Sequence, residues 1–253
     1  MTRHALITAG SKGIGRKVTE HLVNKGYVVT VNYRQDESAV ESLKDQLSSY
    51  QDQLYFVKGD ITNREEIRHI VVESVKQAGP IDILINNAGP YVFERKKLLD
   101  YTDDEWYEMV EGNLSSVFHL MKLTVPSMRE NHFGRIITYG FQGADSAPGW
   151  IYRSAFSAAK VGLVSLTKTI AIEEAEFGIT ANMVCPGNIV GEMKEASIQN
   201  SRVQEDLETP IGRSGTGEDI ARVIGFLCDD DSDMLTGSVI EVTGGLNVIN
   251  RYR

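Results

Sequence analysis

The stretch Leu6-Ile7-Thr8-Ala9-Gly10-Ser11-Lys12-Gly13-Ile14-Gly15 decides the fold. An apolar run at residues 5–8, typical of a strand, leads into it, and a helix-length segment, residues 13–25, follows. Glycines at such a turn let the backbone approach a pyrophosphate, and the unpaired N–H groups of the helix N-terminus favour that anion. A glycine-rich run alone is a weak signal, but this strand–turn–helix context predicts a dinucleotide-binding turn.

The same alternation of strand and helix continues along the chain. Further apolar runs predict strands at residues 28–32, 54–58, 83–86, 135–139, 180–185 and 238–242. Longer helical segments lie between the strands, at residues 13–25, 37–48, 64–77, 106–130, 157–176 and 217–228. Apolar strands joined by helical crossovers predict a parallel sheet covered on both faces. The predicted fold class is therefore α/β, a Rossmann fold with a doubly wound parallel sheet of about seven strands.

One polar segment interrupts this alternation. No repeat and no long linker divides the 253 residues, so residues 1–253 are predicted to form one domain. Residues 189–209 are polar and follow the strand that ends at Cys185. In open α/β sheets, ligands bind beyond the carboxyl ends of the strands. We therefore expect residues 189–209 to form a substrate lid, the alternative being an ordinary surface loop.

Composition excludes several classes of partner. The formal net charge is −9, and an acidic surface repels nucleic acids and anionic membranes. Cys185 and Cys228 lie outside any CxxC pattern, which argues against zinc and redox motifs and favours a reducing compartment. We find no apolar run near the ~20 residues of a membrane span, and no signal peptide before the first strand. Together these features predict a cytoplasmic protein without a metal site.

At the turn, Thr8, Gly13 and Gly15 resemble the Thr-Gly-x-x-x-Gly-x-Gly motif of the short-chain dehydrogenase/reductase family, although Ala9 replaces the first glycine. The resemblance runs the full length of the chain, and overall it is to the 3-oxoacyl-[acyl-carrier-protein] reductases. Its further motifs are Asp60-Ile61, Asn86-Asn87-Ala88-Gly89, Asn113, Pro186-Gly187 and Thr243-Gly244-Gly245.

The resemblance implies a nicotinamide dinucleotide cofactor. The positions that match the family's cofactor contacts are Ser11, Lys12, Gly13, Ile14, Gly15, Arg34, Asp60, Ile61, Asn87, Ala88, Gly89, Lys160, Pro186 and Gly187. An acid at the end of the second strand would favour NAD, but here no acid occurs before Asp36. Lys12 and Arg34 could instead face a 2′-phosphate, which predicts NADPH. The alternative is that both are solvated surface cations.

The resemblance breaks at the catalytic hydroxyls. In the family, a tyrosine protonates the substrate carbonyl, a lysine four residues later tunes the pKa of that tyrosine, a serine orients the carbonyl, and an asparagine completes a proton relay. Lys160 and Asn113 match the lysine and the asparagine. The tyrosine position carries Phe156 and the serine position carries Phe141. The usual mechanism therefore cannot operate unchanged.

Tyr152 is the predicted substitute. It lies eight residues before Lys160, ~12 Å along an ideal helix, so we expect it to reach the pocket from the preceding loop, where Arg153 could stabilise its phenolate. The enoyl-acyl carrier protein reductases place the tyrosine seven residues before the lysine, with aromatic or apolar residues at the two usual hydroxyl positions. That position is Arg153 here, so the match is displaced by one residue. Tyr139 is a weaker candidate, for which core packing is favoured.

Three functions remain open. The first is an NADPH-dependent reductase of a carbonyl, such as a 3-oxoacyl thioester. The second is reduction of an enoyl thioester with Tyr152 and Lys160, and the third is an idle NADPH-binding sensor or scaffold. The resemblance also implies a homo-oligomer, a tetramer or a dimer, formed through the helical segments 106–130 and 157–176.

Overall fold

All seven predicted strands are present and pair in parallel. The computed structural model describes residues 2–247. One sheet has the order β3-β2-β1-β4-β5-β6-β7. Its strands are β1 (His4–Ile7), β2 (Val28–Tyr33), β3 (Leu54–Lys58), β4 (Ile83–Asn86), β5 (Gly134–Tyr139), β6 (Ile179–Pro186) and β7 (Val239–Val242). The predicted α/β class, with a doubly wound sheet in one domain, is confirmed.

Helices cover both faces of this sheet. They are α1 (Gly13–Asn24), α2 (Glu37–Gln46), α3 (Arg64–Ala78), α4 (Asp103–Val110), α5 (Ser116–Glu130), α6 (Ser154–Glu173), α7 (Ile198–Arg202) and α8 (Gly217–Leu227). Apolar side chains of α1, α2 and α8 pack in one core cluster, and those of α3, α5 and α6 pack in another. In β1, Leu6 belongs to the second cluster while Ala5 and Ile7 belong to the first, because successive side chains point to opposite faces.

The predicted helix 106–130 is interrupted. It consists of α4, a π-helical turn at Glu111–Ser115, and α5. The helical region begins earlier than expected because Thr102 and Glu105 form a capping box, in which each side chain accepts from the other's backbone N–H. The π turn carries Asn113, whose amide donates to the carbonyls of Pro90 and Met109 at 3.0 Å each. This irregularity holds Asn113 at the edge of the site.

Helix α6 is more apolar than the sequence analysis predicted, which found no apolar run near the length of a membrane span. Within residues 2–247 it is the one helix that is long and apolar enough to cross a membrane by length and composition alone, with a mean hydropathy of 1.3. Leu163 and Val164 are buried in the core that covers one face of the sheet. Packing in this core accounts for part of the apolar composition of the helix, since 39% of the apolar stretch is buried.

The strand order places the site. Strand β1 lies between β2 and β4. From β1 the chain adds β2 and β3 on one side, and then crosses over to β4 on the other side of β1. A crevice opens at such a switch point beyond the carboxyl ends of the strands, and ligands of open α/β sheets bind there. The loops that follow β1 and β4 meet at this crevice: Ala88 N donates to Thr8 Oγ1 at 2.9 Å.

Candidate functional site

The glycine-rich loop is locked to the loop after β4. Asn87 Nδ2 donates to the carbonyl oxygens of Thr8 at 2.9 Å and Ala9 at 3.1 Å. Ala9 adopts a left-handed backbone with φ of 50°, a conformation that favours glycine. Ala9 therefore keeps the backbone geometry that glycine usually has at this motif position, and its methyl group adds strain.

Gly15 leaves room for the close approach of this loop to helix α1. A Cβ at Gly15 would lie 2.4 Å from Ala9 O and 2.6 Å from Asn87 Nδ2. No side chain fits there without moving the loop, which explains the glycine. The turn therefore brings the N-terminus of α1 to the crevice, as a dinucleotide site requires.

Two clefts meet at this loop, and Ala9 and Lys12 line both. The first, of about 650 Å³, extends over the ends of β2 and β3 and reaches Tyr91. The second, of about 800 Å³, separates the loop from residues 191–204 and includes Asn87. A dinucleotide extends on both sides of its pyrophosphate, and the two clefts adjoin at Ala9 and Lys12 of this loop.

The first cleft contains the charged side chains that would contact the ribose of the cofactor. Lys12 Nζ lies 3.1 Å from Asp36 Oδ2, and Arg34 Nη1 lies 3.5 Å from Asp60 Oδ2. Asp36 also accepts from Ala39 N, and this bond, followed by that from Lys12, lowers the pKa of its carboxyl. Both predicted cations therefore face the cleft, each with a carboxylate beside it.

Asp60 is fixed as a hydrogen-bond acceptor in the same cleft. Its Oδ1 accepts from Thr62 N at 2.9 Å and from Thr62 Oγ1 at 2.8 Å. Burial raises the pKa of Asp60, but the Thr62 hydrogen bonds and the charge of Arg34 outweigh burial, and the pKa is lowered overall. The carboxylate therefore stays ionised, with Ile61 beside it in the cleft wall.

A carboxylate of residues 189–209 lies on the N-terminus of α1. Glu195 Oε1 accepts from Gly13 N at 2.6 Å, and Glu195 Oε2 lies 4.0 Å from Arg16 Nε. The N-terminus of α1 is the anion position of the predicted dinucleotide turn. Glu195 therefore holds the place that a phosphate of the cofactor would take. The sequence offered no signal for this contact, because it joins residues 182 positions apart.

Lys160 and Asn113 meet beside Gly89. Lys160 is only 5% exposed, and no hydrogen bond or ion pair joins its ammonium to another of the described residues. Burial lowers the pKa of Lys160 to about 8. Asn113 Oδ1 is also buried without a partner, and a Cβ at Gly89 would lie 2.4 Å from that atom and 3.8 Å from Lys160 Nζ. A buried cation and an orphaned acceptor at one point fit a ligand with several hydroxyls, such as a ribose.

Pro186 and Gly187 lie at the carboxyl end of β6. Strand β6 ends at Pro186, and Gly187 N donates to Val242 O at 2.9 Å. A Cβ at Gly187 would lie 2.8 Å from Thr243 Cα, so the motifs after β6 and β7 are in close contact. Neither Pro186 nor Gly187 is among the residues that line the two clefts, and their contact with the nicotinamide stays a prediction.

Aromatic rings fill the positions of the two missing hydroxyls. Phe156 lies one helical turn before Lys160, whose Nζ is 5.7 Å from the Phe156 ring centroid. Phe141 packs against Trp150 at 5.0 Å and against Phe156 at 6.3 Å. Tyr139 instead lies in the core on the opposite face of the sheet, as favoured.

Tyr152 lies in the loop before α6, as predicted. Its φ is 66°, its carbonyl accepts from Tyr101 Oη at 3.2 Å, and its ring lies 5.3 Å from the guanidinium of Arg95. Arg153 donates to the backbone carbonyl of Tyr152 at 2.8 Å, not to its phenol, and its Nε donates to Tyr91 Oη at 2.5 Å. The role of Tyr152 as acid stays a prediction, and Tyr91 enters the site as a phenol that sequence reasoning missed.

Comparison with known proteins agrees with the family resemblance of the motifs. A family model described as enoyl-(acyl carrier protein) reductase matches residues 8–247. The chain is 70% identical over 250 residues to YtkK of Bacillus subtilis, which is named as an oxidoreductase, with 98% of each chain covered. It is 33% identical over 247 residues to the 3-oxoacyl-[acyl-carrier-protein] reductase FabG of Staphylococcus aureus, covering 97% of this chain and 98% of FabG.

Solved structures agree with these relatives. A Bacillus thuringiensis protein described as a 3-oxoacyl-reductase superposes with a TM-score of 0.93 at 64% identity, over 99% of this chain and 100% of that one. A variant of the actinorhodin polyketide ketoreductase, solved with NADPH, gives 0.84 at 28% identity, over 97% of each chain. The motifs, the sheet and these matches together show that the chain is an oxidoreductase of the short-chain dehydrogenase/reductase family, whose members use a nicotinamide cofactor.

Proposed function

We propose that the protein is an NADPH-dependent reductase of a carbonyl substrate, with a 3-oxoacyl thioester as the first candidate. The observation that carries the proposal is the buried Lys160 ammonium beside the orphaned Asn113 Oδ1, at the point where the crevice meets the aromatic wall. Because burial of an unpaired charge is costly, we expect this point to hold a bound cofactor. An idle NADPH-binding scaffold would share that feature and would be distinguished by the absence of turnover. FabG of Staphylococcus aureus is named for this reaction.

NADPH rather than NADH is supported by the charges of the first cleft. Lys12 and Arg34 lie at the cleft wall, and a 2′-phosphate would attract both. Asp36 holds Lys12 at 3.1 Å, so binding of the phosphate exchanges one ion pair for another. The NADPH complex of the actinorhodin polyketide ketoreductase supports the same choice.

The residues of the chain would have the following roles in cofactor binding. Ser11–Gly15 would hold the pyrophosphate at the N-terminus of α1, and Asp60 and Ile61 would line the adenine position. Lys160 would donate to the ribose hydroxyls, and Asn113 with Ala88 and Gly89 would close the crevice beside it. NADPH, when bound, supplies hydride to the carbonyl carbon. Pro186 and Gly187 would border the nicotinamide and exclude water from that side.

Residues 189–209 are proposed to be the substrate lid. They include the turn Gly191–Lys194 and helix α7, and residues 191–196 line the second cleft opposite the glycine-rich loop. This position lets the segment cover a bound ligand and contact its reacting end. A cytoplasmic location and a homo-oligomeric assembly, tetramer or dimer, remain part of the same proposal.

A second candidate is enoyl-thioester reduction. The matching family model is described by that activity, and the aromatic wall of Phe141, Trp150 and Phe156 resembles a site that manages without the serine. In that reaction the proton would go to the enolate, with Tyr152 and Lys160 as the proposed residues.

The cofactor assignment is tested by the double variant Lys12→Ala/Arg34→Ala. We expect the NADPH dissociation constant to rise by about 10–100-fold, because two charge-assisted contacts to the 2′-phosphate are lost, while that of NADH changes less than threefold. Both constants are measured by quenching of intrinsic fluorescence, with Lys44→Ala, on α2, as the control. Equal weakening of both nucleotides would overturn the assignment.

A further inference from the structure

Tyr91 is part of an aromatic cluster at the point where the family's catalytic hydroxyls are missing. The cluster consists of Tyr91, Phe93, Phe141, Trp150 and Phe156. The Tyr91 ring lies 5.0 Å from the Phe156 ring, edge to face at 85°, and 5.1 Å from the Phe93 ring. Phe156 in turn contacts the ammonium of Lys160. Among the five rings, Tyr91 carries the one phenol.

The Tyr91 hydroxyl is held from the start of α6. Arg153 Nε donates to Tyr91 Oη at 2.5 Å, and the guanidinium lies 4.8 Å from the Tyr91 ring centroid. Arg153 is itself fixed by the carbonyls of Phe93, Glu94 and Tyr152. It lies seven residues before Lys160, the position that carries the tyrosine in the enoyl-acyl carrier protein reductases. The side chain at this sequence position therefore holds a phenol that comes from a different loop.

Tyr91 is also accessible to a ligand. It is half-buried and lines the 650 Å³ cleft together with Ala88, Gly89 and Pro90, directly beside the Asn113–Lys160 point. A proton donor must contact both the substrate and, afterwards, a source of protons. A phenol at the mouth of a cleft meets both requirements.

We propose that Tyr91 is the catalytic acid of this protein, with Arg153 as its positioning residue; the inference rests on the reductase function proposed above. The Tyr91 O–H bond breaks as its proton moves to the carbonyl oxygen, while the carbonyl carbon accepts the hydride of NADPH. The products are an alcohol, NADP⁺ and the Tyr91 phenolate. Arg153 stabilises that phenolate until water returns a proton, so the net reaction consumes one ketone, one NADPH and one proton.

The other candidate donors are less well placed. Tyr152 contacts Arg95 and Tyr101, and none of the described aromatic contacts joins it to Phe156. Burial raises the pKa of the Cys185 thiol to about 12, and Tyr139 lies in the core on the other face of the sheet. Lys160 is required at the ribose. Tyr91 is the phenol that adjoins both the cleft and the missing tyrosine position.

The test compares Tyr91→Phe with Tyr152→Phe and with Tyr107→Phe, an exposed residue of α4 that serves as the control. NADPH oxidation is followed with acetoacetyl-coenzyme A as substrate. We expect kcat to fall at least 100-fold in Tyr91→Phe, the scale of a lost general acid. Tyr107→Phe should match the wild type. A Tyr91→Phe enzyme within threefold of the wild type, or a 100-fold loss confined to Tyr152→Phe, overturns the assignment.

A second measurement does not use turnover. Acetoacetyl-coenzyme A is titrated into the cofactor-free protein by calorimetry. Loss of the hydrogen bond from Tyr91 to the carbonyl should weaken binding about 3–10-fold in Tyr91→Phe, with the NADPH affinity unchanged. Unchanged substrate binding contradicts the contact. A wild-type protein that turns over no ketone overturns the proposed function, whereas an active wild type with an active Tyr91→Phe overturns the role of Tyr91 alone.

Arg153 gives the positioning test. Arg153→Gln keeps a donor beside Tyr91 but removes the charge that stabilises the phenolate. We expect kcat for ketone reduction to fall about 10-fold, with a KM change below twofold. The alkaline limb of the pH profile should move to higher pH than in the wild type, because the phenol keeps its proton longer when no cation stabilises the phenolate. If kcat falls together with the melting temperature and the pH profile does not change, Arg153 has a structural role, which contradicts the inference.

Discussion

Lys160 combines two properties that are rarely compatible in one residue. It is almost completely buried, and it has no charged or hydrogen-bonding partner among residues 2–247. Burial lowers the pKa of its ammonium to about 8, so at neutral pH the folded protein holds a charge that it solvates poorly. A group retained at this cost to stability serves a ligand rather than the fold.

Lys160→Met should therefore stabilise the cofactor-free protein. The pKa is about 8 when folded and 10.5 when unfolded, so the unfolded chain binds the extra proton between these values. The penalty is complete below pH 8 and disappears as the pH rises towards 10.5. We expect a gain of about 2–3 kcal/mol in the free energy of unfolding at pH 7, shrinking towards zero by pH 10.

Urea denaturation of the wild type and the variant at pH 7 and pH 10 measures this gain. Lys168→Met, on the exposed side of the same helix, is the control and should show no pH-dependent difference. A Lys160→Met protein that is less stable than the wild type at pH 7 would show that the ammonium is satisfied in the fold.

Residues 189–209 contact the N-terminus of α1 through Glu195. Glu195 accepts from Gly13 N at the place where a cofactor phosphate would bind, so the two anions exclude each other. If a cofactor phosphate binds at this helix N-terminus as proposed, Glu195 has to leave Gly13 N. Gly217 supports this packing, since a Cβ there would lie 2.0 Å from the carbonyl oxygen of Lys194.

Glu195→Gln should strengthen NADPH binding. Removal of the charge leaves a weaker competitor at the helix N-terminus, and we expect the dissociation constant to fall about 3–10-fold. The effect should diminish at high ionic strength, because surface charges are then screened. Glu192→Gln, a neighbouring exposed acid of the same turn, is the control. Weaker binding in Glu195→Gln would mean that this carboxylate assists the cofactor.

Element order was predictable from sequence, and element ends were less so. Buried strands such as Ile83–Asn86 are continuous apolar runs, so their bounds were obtained directly. The interruption of 106–130 at Glu111–Ser115 was not, because a π turn depends on packing around Asn113 rather than on propensity. Helix α6 begins at Ser154, earlier than expected, and this places Arg153 at its N-cap.

At the scale of the whole molecule, the site is assembled from loops that are remote in sequence. Motif residues such as Asn87 and Gly15 could be assigned because the glycine turn and the loop after β4 carry recognisable patterns. Tyr91 and Glu195 could not, because their roles come from contacts across 62 and 182 residues. The switch in strand order between β2 and β4 brings these loops together, so the fold supplies what the local sequence lacks.

We propose that this assembly transfers hydride although Phe141 and Phe156 occupy the usual hydroxyl positions. The most direct test supplies NADPH deuterated at C4 with acetoacetyl-coenzyme A and, separately, with crotonyl-coenzyme A, and locates the deuterium by mass spectrometry and NMR. We predict deuterium at C3 of 3-hydroxybutyryl-coenzyme A. Deuterium in butyryl-coenzyme A alone would assign enoyl reduction instead of carbonyl reduction. NADPH binding without deuterium in either product would contradict hydride transfer by this protein.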